Sequence, residues 1–250
     1  IIAIMHRFYI VLIAVFSINY TAISQTIEPS ATIHKNSLQI EIESLYTIQK
    51  EGIMEMKSWS IPSALFRFGL LEGFEIQLNT PIIKEELWEN DHLIHYLNKF
   101  DDIQVGLSIN LWEEKKLLPQ TSVMIRAILP TDSQFRLNKL GKLCSLNFSN
   151  TISEKLSLNY NFGYAFETDK SESGFYIANI SYNLTDKIHF FVENFGDFYC
   201  HKLISHNLNL GGGYNFSDNF AFDVSMANGL NHNMFYVGGI VTFILNTKKN

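Results

Sequence analysis

Charged side chains are sparse in the alternating stretches of this chain, where they share one face with Asn, Ser, Gly and Gln. Carboxylates and guanidinium groups confined on such a face can neutralise one another as ion pairs, or they can bind a polar or charged solute. The candidates that the alternation places on this polar face are Glu41, Glu43, Arg67, Glu75, Gln77, Arg126, His189, Glu193 and Asp223.

Two local pairings among these candidates follow from strand register. If a hairpin closes with Leu70 opposite Phe74, Arg67 faces Gln77 and lies diagonal to Glu75, within reach of an ion pair. Similar counting sets Asp223 opposite Gly213, whose missing side chain leaves space beside the carboxylate. Both interpretations remain open: an internal ion-pair network that rigidifies the fold, or residues that touch a solute.

The five carboxylates of this polar face outnumber its two arginines. If the face lines an open pore, the excess negative charge favours cations at close quarters, and salt weakens that preference. We therefore expect a modest cation preference.

An enzymatic function has little support in the sequence. Some outer-membrane barrels are lipid hydrolases with a Ser and a His on the outer wall, but this chain offers only Ser205-His206-Asn207, in the wrong order. Without a nucleophile, base and orienting group at suitable spacing, acyl transfer has no basis. We expect no catalytic residues and no enzymatic activity.

His92 and His95 lie three residues apart, beside Asp91, and are the best candidates for metal ligands. A metal site normally needs about four ligands, and the remaining ones are not in view. A solvated loop is the simpler interpretation, so we predict neither a metal nor a cofactor.

The elements that carry these residues are alternating segments separated by short acidic turns. Three of the turns contain Glu154, Asp186 and Asp218, which are 32 residues apart. Between Leu156 and Glu167 every second residue is apolar, so that one face of an extended strand is apolar and the other polar. A repeat of strand, loop, strand and turn is typical of an up-and-down β-meander.

This pattern predicts an all-β fold of about twelve strands. Most are as long as the roughly 9–11 residues that cross a bilayer at a tilt, and the count is even, as in bacterial outer-membrane barrels. The predicted strands are 38–48, 54–69, 73–83, 102–113, 119–129, 141–150, 155–167, 174–184, 187–196, 206–216, 219–228 and 234–245.

The predicted connections differ in length at the two ends of the barrel. Long loops are expected at 84–101, 130–140 and 197–205, and short turns at the other end. Such asymmetry is typical of outer-membrane barrels, in which the short turns face the periplasm. With twelve strands, both chain ends would lie on the periplasmic side.

A soluble β-sandwich or a lipocalin-like barrel is the alternative, because its strands also alternate. An open surface collects Lys, Glu and Thr, however, whereas the polar face of this chain is mostly small and uncharged, as suits a hydrated lumen. The 20 Phe and 11 Tyr residues favour aromatic belts at membrane interfaces. We therefore predict an up-and-down antiparallel transmembrane β-barrel.

The first residues of the chain are typical of export. His6-Arg7 precedes an apolar run from Phe8 to Ile18, which is too short to span a bilayer as a helix, and Ala22-Ile23-Ser24 is a small-residue cleavage site. We predict a signal peptide at 1–24 and one barrel domain at 25–250, with either Ile1 or Met5 as the true start.

The charge of the chain excludes one class of partner. The formal net charge is −6, and no basic stripe is present to neutralise phosphates, so we expect no nucleic-acid partner. The expected partners are outer-membrane lipid and the barrel assembly machinery, with a small-molecule solute as a further candidate.

Several segments resemble, in order, the motifs of the outer-membrane family named for the MetA pathway of phenol degradation. Residues 65–70 and 74–76 resemble its Arg-Tyr-Gly-Leu hairpin, with Phe68 in place of Tyr, and residues 100–107 resemble the strand that follows. Residues 129–131 resemble its Leu-Pro-Thr loop entry, although Asp132 replaces the usual Gly. Residues 191–196 and 219–230 resemble its last strands, although the chain lacks a closing aromatic residue.

This resemblance covers about residues 38–245 and implies uptake of aromatic or other hydrophobic small molecules. Twelve strands also lie between filled eight-stranded barrels and wide porins, which indicates a narrow or partly plugged pore. Residues 25–37 are too few for a substantial plug, although a loop such as 84–101 could fold inward. We therefore expect a narrow channel for small solutes; a non-conducting structural or surface-interaction barrel is the alternative.

Overall fold

The computed structural model describes residues 27–131, 140–200 and 202–246, which form one antiparallel sheet of thirteen strand segments. The described residues contain no helix that is long and apolar enough to cross a membrane. The strands are β1 (Ser37–Glu51), β2 (Met54–Leu71), β3 (Phe74–Glu89), β4 (His92–Phe100), β5 (Ile103–Trp112), β6 (Gln120–Leu129), β7 (Gly141–Ser153), β8 (Leu156–Phe166), β9 (Glu172–Asn183), β10 (Ile188–Tyr199), β11 (Lys202–Ser217), β12 (Phe220–Gly229) and β13 (Asn233–Asn246).

The thirteen segments make a closed barrel of twelve strands, which confirms the predicted fold class. From β5 to β13 each strand pairs with the next one in the chain. β13 pairs with β1, β1 with β2, β2 with β3, and β3 with β5, which closes the ring. β4 and β5 act as one strand, because β3 pairs with β5 through residues 74–79 and with β4 through residues 82–89. Between them, Asp101 N donates a 2.9 Å hydrogen bond to Pro81 O, so the ladder continues across the interruption.

The prediction of a long loop at 84–101 is wrong. Residues 84–89 extend β3, and β4 returns along them after a two-residue turn. Asn90 and Asp91 have φ values of 47° and 64° in that turn. Positive φ at both central residues is the geometry that matches the twist of a tight hairpin, and Asn and Asp tolerate it best.

Strand extension also removes the predicted loop at 197–205. β10 reaches Tyr199 and β11 begins at Lys202. Of the third predicted loop, residues 132–139 lie outside the described residues, as do residues 1–26, which contain the predicted signal peptide.

The two ends of the barrel can be named by the chain termini. At the terminal end β1 begins and β13 finishes, with Ser37 paired to Asn246. The opposite end, which carries the turns at 52–53, 90–91 and 167–171, is the distal end.

The outward face is apolar, as the alternation requires. Phe162, Leu210 and Phe222 are 53%, 48% and 40% exposed, whereas Asn161 and Asn209, which precede Phe162 and Leu210, are 0% and 4% exposed. Near the terminal end, the rings of Phe216 and Phe243 each stack on Phe220, with centroids 4.9 Å apart in both pairs. An apolar wall with aromatic residues near its edge is the surface of a transmembrane barrel.

Candidate functional site

The inner face of the barrel carries all nine of the polar candidates named from the sequence. In the terminal half, Glu75 accepts hydrogen bonds from Arg67 Nε at 2.9 Å and Arg67 Nη2 at 3.0 Å. Gln77 Nε2 donates to the same carboxylate at 2.6 Å. Strand register explains this cluster, because Arg67 pairs with Gln77 and Gly69 with Glu75. A bidentate arginine compensates the charge of a carboxylate that is 0% exposed.

The cluster continues across the lumen in both directions. Arg126 Nε donates to Gln77 Oε1 at 2.8 Å, and Arg126 Nη2 lies 2.7 Å from Glu28 Oε1. On the other side, Arg67 Nη1 lies 3.8 Å from Glu41 Oε1. Four strands, β1, β2, β3 and β6, and the amino-terminal segment are therefore joined by one polar network.

Residues 27–36, here called the plug segment, run inside the barrel before β1 begins. Ile33 N donates to Glu75 Oε2 at 2.7 Å, and Arg67 Nη2 donates to Ala31 O at 3.2 Å. Deeper in the lumen, Glu28 N donates to Asn161 Oδ1 at 2.8 Å, and Asn161 Nδ2 donates to Glu28 O at 2.9 Å.

The expectation that this stretch is too short to plug the barrel is therefore wrong. An extended chain covers about 3.3 Å per residue, so ten residues reach the middle of a narrow lumen. The side chains of the inner wall supply the hydrogen bonds that the extended backbone lacks.

A hydrogen-bonded pair of a histidine and a carboxylate lies near the terminal end on the opposite wall. His189 Nε2 is 2.6 Å from Asp223 Oδ1. Gly213 lies opposite both residues in register, as predicted for Asp223. A Cβ at Gly213 would come within 2.1 Å of Asp223 Oδ1 and 2.6 Å of His189 Cε1, so only glycine leaves room for the pair.

The remaining two candidates differ in their partners. Glu43 is half-buried on β1, where it pairs in register with Ser63 of β2. Glu193, on β10, is 2% exposed and accepts hydrogen bonds from Asn179 Nδ2 at 3.2 Å and Asn209 Nδ2 at 3.3 Å.

The distal half of the lumen is lined by apolar side chains, which the sequence interpretation missed. They form one cluster, here called the apolar layer, and most lie toward the distal ends of their strands. Its members are Leu45, Met124, Ile128, Leu143, Ala165, Phe175, Ile177, Phe195, Ala227, Met234 and Tyr236. Ile27 of the plug segment packs against it from below.

Four carboxylates lie on the distal rim, those of Asp101, Asp102, Glu167 and Asp169. Thr168 Oγ1 and Thr131 N donate to the two oxygens of Asp102, at 2.5 Å and 3.2 Å. Partial burial raises the pKa of Glu167 to about 7, and the nearby charges of Asp169, Asp102 and Asp101 add to the effect. The rim is therefore negatively charged at neutral pH, with one carboxylate that loses its proton only near neutrality.

Two chemical candidates from the sequence do not form sites. Ser205 faces the lumen, where its hydroxyl donates to Asp197 Oδ2 at 2.7 Å. His206 lies on the outward face, with Nδ1 2.5 Å from the Tyr176 hydroxyl. Adjacent residues on opposite faces of a strand cannot form a relay. His92 and His95 are on β4, and no group of three or more metal-ligating side chains is found within the described ranges.

Comparisons with known proteins agree with this geometry. A sequence profile of the family described as MetA-pathway of phenol degradation matches residues 56–234. No curated protein matches the chain.

Among solved structures, an outer-membrane channel from Pseudomonas putida F1 superposes with a TM-score of 0.68 at 6% identity, over 88% of this chain and 100% of that one. The transport unit of the autotransporter AIDA-I from Escherichia coli has a TM-score of 0.52 at 9% identity, over 86% of this chain and 91% of that one. At such low identities the likeness shows the fold alone.

Proposed function

We propose that this chain, which belongs to the MetA-pathway of phenol degradation family, is an outer-membrane channel that admits small apolar solutes. The observation that carries the proposal is the division of the lumen into two layers. The inner wall of the distal half carries the apolar layer, whereas ion pairs and the plug segment cross the lumen in the terminal half. A water-filled porin has no use for a buried apolar inner layer, because such a layer repels hydrated solutes.

The direction of uptake follows from the position of the chain ends. We assign the terminal end to the periplasm, because in even-stranded outer-membrane barrels the chain ends lie there. The apolar layer then lies toward the cell exterior, and a solute meets it before the plug segment. Residues 1–24 would serve as the signal peptide that brings the chain to the membrane.

Solute uptake by whole cells tests this function. Cells that express the protein should take up a radiolabelled neutral aromatic solute such as toluene faster than cells with an empty vector. Ile177→Asp should reduce the rate, because Ile177 is 2% exposed within the apolar layer and a carboxylate there raises its polarity.

The matched control is Ile180→Asn, a polar change on the outward wall, where Ile180 is 52% exposed. Equal uptake with and without the protein, or faster uptake of a polar solute of equal size, would refute the proposal.

A non-conducting barrel with a structural or surface-interaction role is the second candidate. The buried side chains of the middle lumen favour it, since Asn147 and Asn161 are 1% and 0% exposed. Planar-bilayer recordings together with the uptake assay separate the two candidates. The channel predicts solute uptake with little ion conductance, and the structural barrel predicts neither.

A further inference from the structure

Glu193 lies in the middle of the lumen without a compensating charge in the described part of the chain. Both of its oxygens accept hydrogen bonds, and both donors are neutral amides, Asn179 Nδ2 and Asn209 Nδ2. Two accepted hydrogen bonds suit the charged form, because a carboxylate acts only as an acceptor. Burial of a charge without an opposite charge is costly, even when hydrogen bonds are present.

Other carboxylates of the lumen lie against basic side chains. Glu75 binds Arg67, Glu28 lies against Arg126, and Asp223 lies against His189. Glu193 differs from these carboxylates, because the donors to its two oxygens within the described residues are neutral amides.

Two further acceptors face the lumen from β11 beside Glu193. Asn209 pairs with Glu193 in register, and Asn207 pairs with Phe195, one inward position nearer the distal end. The side-chain oxygens Asn207 Oδ1 and Asn209 Oδ1 are both buried, and neither has a hydrogen-bond partner among the residues that the structure describes. Unsatisfied buried acceptors are rare in proteins, and their convergence in one lumen indicates a missing donor.

The apolar layer begins at the level of Asn207, one inward position beyond Glu193. Phe195 follows Glu193 by one inward position on β10, and its ring centroid lies 6.2 Å from that of Tyr236. Ile177 pairs with Phe195 from β9. A solute held here would therefore have its polar end at Glu193 and its apolar body between aromatic and aliphatic side chains.

We infer that Glu193, Asn207 and Asn209 bind the ammonium group of a small organic cation whose apolar body occupies the apolar layer. A primary ammonium group has three donors and one positive charge, which match a carboxylate and two amide oxygens. Aromatic rings add a favourable interaction with a cation. This inference rests on the proposed function and names the class of solute, an apolar amine, that the lumen selects.

Isothermal titration calorimetry on the folded protein in detergent micelles tests the inference with 2-phenylethylammonium chloride. Wild-type protein should bind this cation more tightly than 2-phenylethanol, phenylacetate, methylammonium or K⁺ at constant ionic strength. Glu193→Gln should weaken binding on the order of tenfold or more, the effect of losing a charge-assisted hydrogen bond. Asn207→Leu should weaken it by a smaller factor.

Glu172→Gln, at the start of β9 and outside the site, is the matched control and should bind as wild type does. Heat-dependent gel migration should establish that every variant is folded. Absence of binding to wild type, equal binding to Glu193→Gln, or equal affinity for 2-phenylethanol would each overturn the inference. Equal affinity for methylammonium or K⁺ would also overturn it, because the site would then recognise charge alone.

Binding is measured here without transport, so two failures can be told apart. Binding that depends on Glu193 in a protein that gives cells no uptake would contradict the proposed channel and leave the site intact. Uptake of neutral aromatic solutes with no binding of the ammonium probe would contradict the site alone.

Discussion

The inward-facing residues of the terminal and distal halves of the lumen differ in chemical character. In the terminal half, Arg67 and Glu75 are 3% and 0% exposed and compensate each other's charge. In the distal half, inward-facing positions carry apolar side chains such as Phe195 and Met234. Hydrogen bonds and ion pairs, which are directional, hold the terminal half together, whereas apolar contacts, which have no preferred direction, hold the distal half together.

We expect the two halves to have different roles, with the terminal half contributing stability and the distal half selecting the solute. A buried ion pair cannot exchange partners cheaply, because each charge that is left alone is costly. Apolar contacts can be exchanged for contacts with an apolar solute at little cost. On the proposed function, the terminal half therefore stabilises the barrel and the distal half admits the solute.

Removal of one member of the buried ion pair should have the largest effect. Arg67→Met leaves Glu75 buried without a cation and should lower the free energy of unfolding by about 3–5 kcal/mol. Urea unfolding of the protein in lipid vesicles measures this loss.

Lys50→Met is the matched control, because Lys50 is 59% exposed and pairs with Glu55 on the surface. An exposed pair contributes at most about 1 kcal/mol. Equal losses for the two variants would contradict the claim that the terminal half is a stabilising network.

A charge placed on the outward wall should have the next largest effect. Phe162→Arg puts a cation against lipid and should cost about 2–4 kcal/mol. Asn159→Arg, on the same strand but the inner face, should cost less, since Asn159 is only half-buried. Unfolding in vesicles compares them, and a greater loss for Asn159→Arg would refute the assignment of the two faces.

Deletion of the plug segment should change transport more than stability. Without residues 27–33, the hydrogen bonds to Glu75, Asn110 and Asn161 are lost and the terminal half loses its obstruction. Planar-bilayer recordings should show a conductance several-fold above that of wild type, with preference for cations.

Glu28→Gln is the control for this deletion, because it removes one ion pair and keeps the segment. It should conduct much as wild type does. An unchanged conductance after the deletion would mean that other parts of the barrel close the lumen.

A change on the distal rim should have the smallest effect, and it depends on pH. The pKa of Glu167 is raised from 4.5 to about 7, mainly by burial. The folded state therefore holds this proton more tightly than the unfolded chain, and stability falls as the pH rises from about 4.5 to about 7. Glu167→Gln should remove about 1 kcal/mol of that decline once solvent screening is allowed for.

Unfolding at pH 5 and pH 8 in both proteins measures this difference. If the wild-type protein and the variant lose the same stability between the two values, Glu167 does not titrate in this range.

The sequence was sufficient to predict the strands and their local pairing. Alternation is a property of neighbouring residues, so it identified twelve strands, and a tight turn at Gly73 fixed Arg67 opposite Gln77. The extension of β3 was missed because residues 84–89, Lys-Glu-Glu-Leu-Trp-Glu, are mostly charged and do not alternate apolar with polar residues.

The plug segment and the apolar layer were missed for a different reason. Residues 27–36 have no periodicity, and side chains distant in sequence hold them in place, such as Asn161 for Glu28. The apolar layer places Phe175 and Ile177 at inward positions, next to the outward Tyr176, so the alternation disappears there. That local loss of alternation was the signal that could have revealed it.

Photolabelling of the lumen tests the division into two layers most directly. A small apolar aromatic diazirine, activated in membranes that contain the wild-type protein, should label peptides that contain Phe195 and Tyr236 of the apolar layer. Excess toluene should compete with this labelling, whereas labelling of outward residues such as Phe162 should persist because it reflects lipid. Labelling confined to the outward wall, or insensitive to competition throughout, would contradict the account that the distal lumen binds apolar solutes.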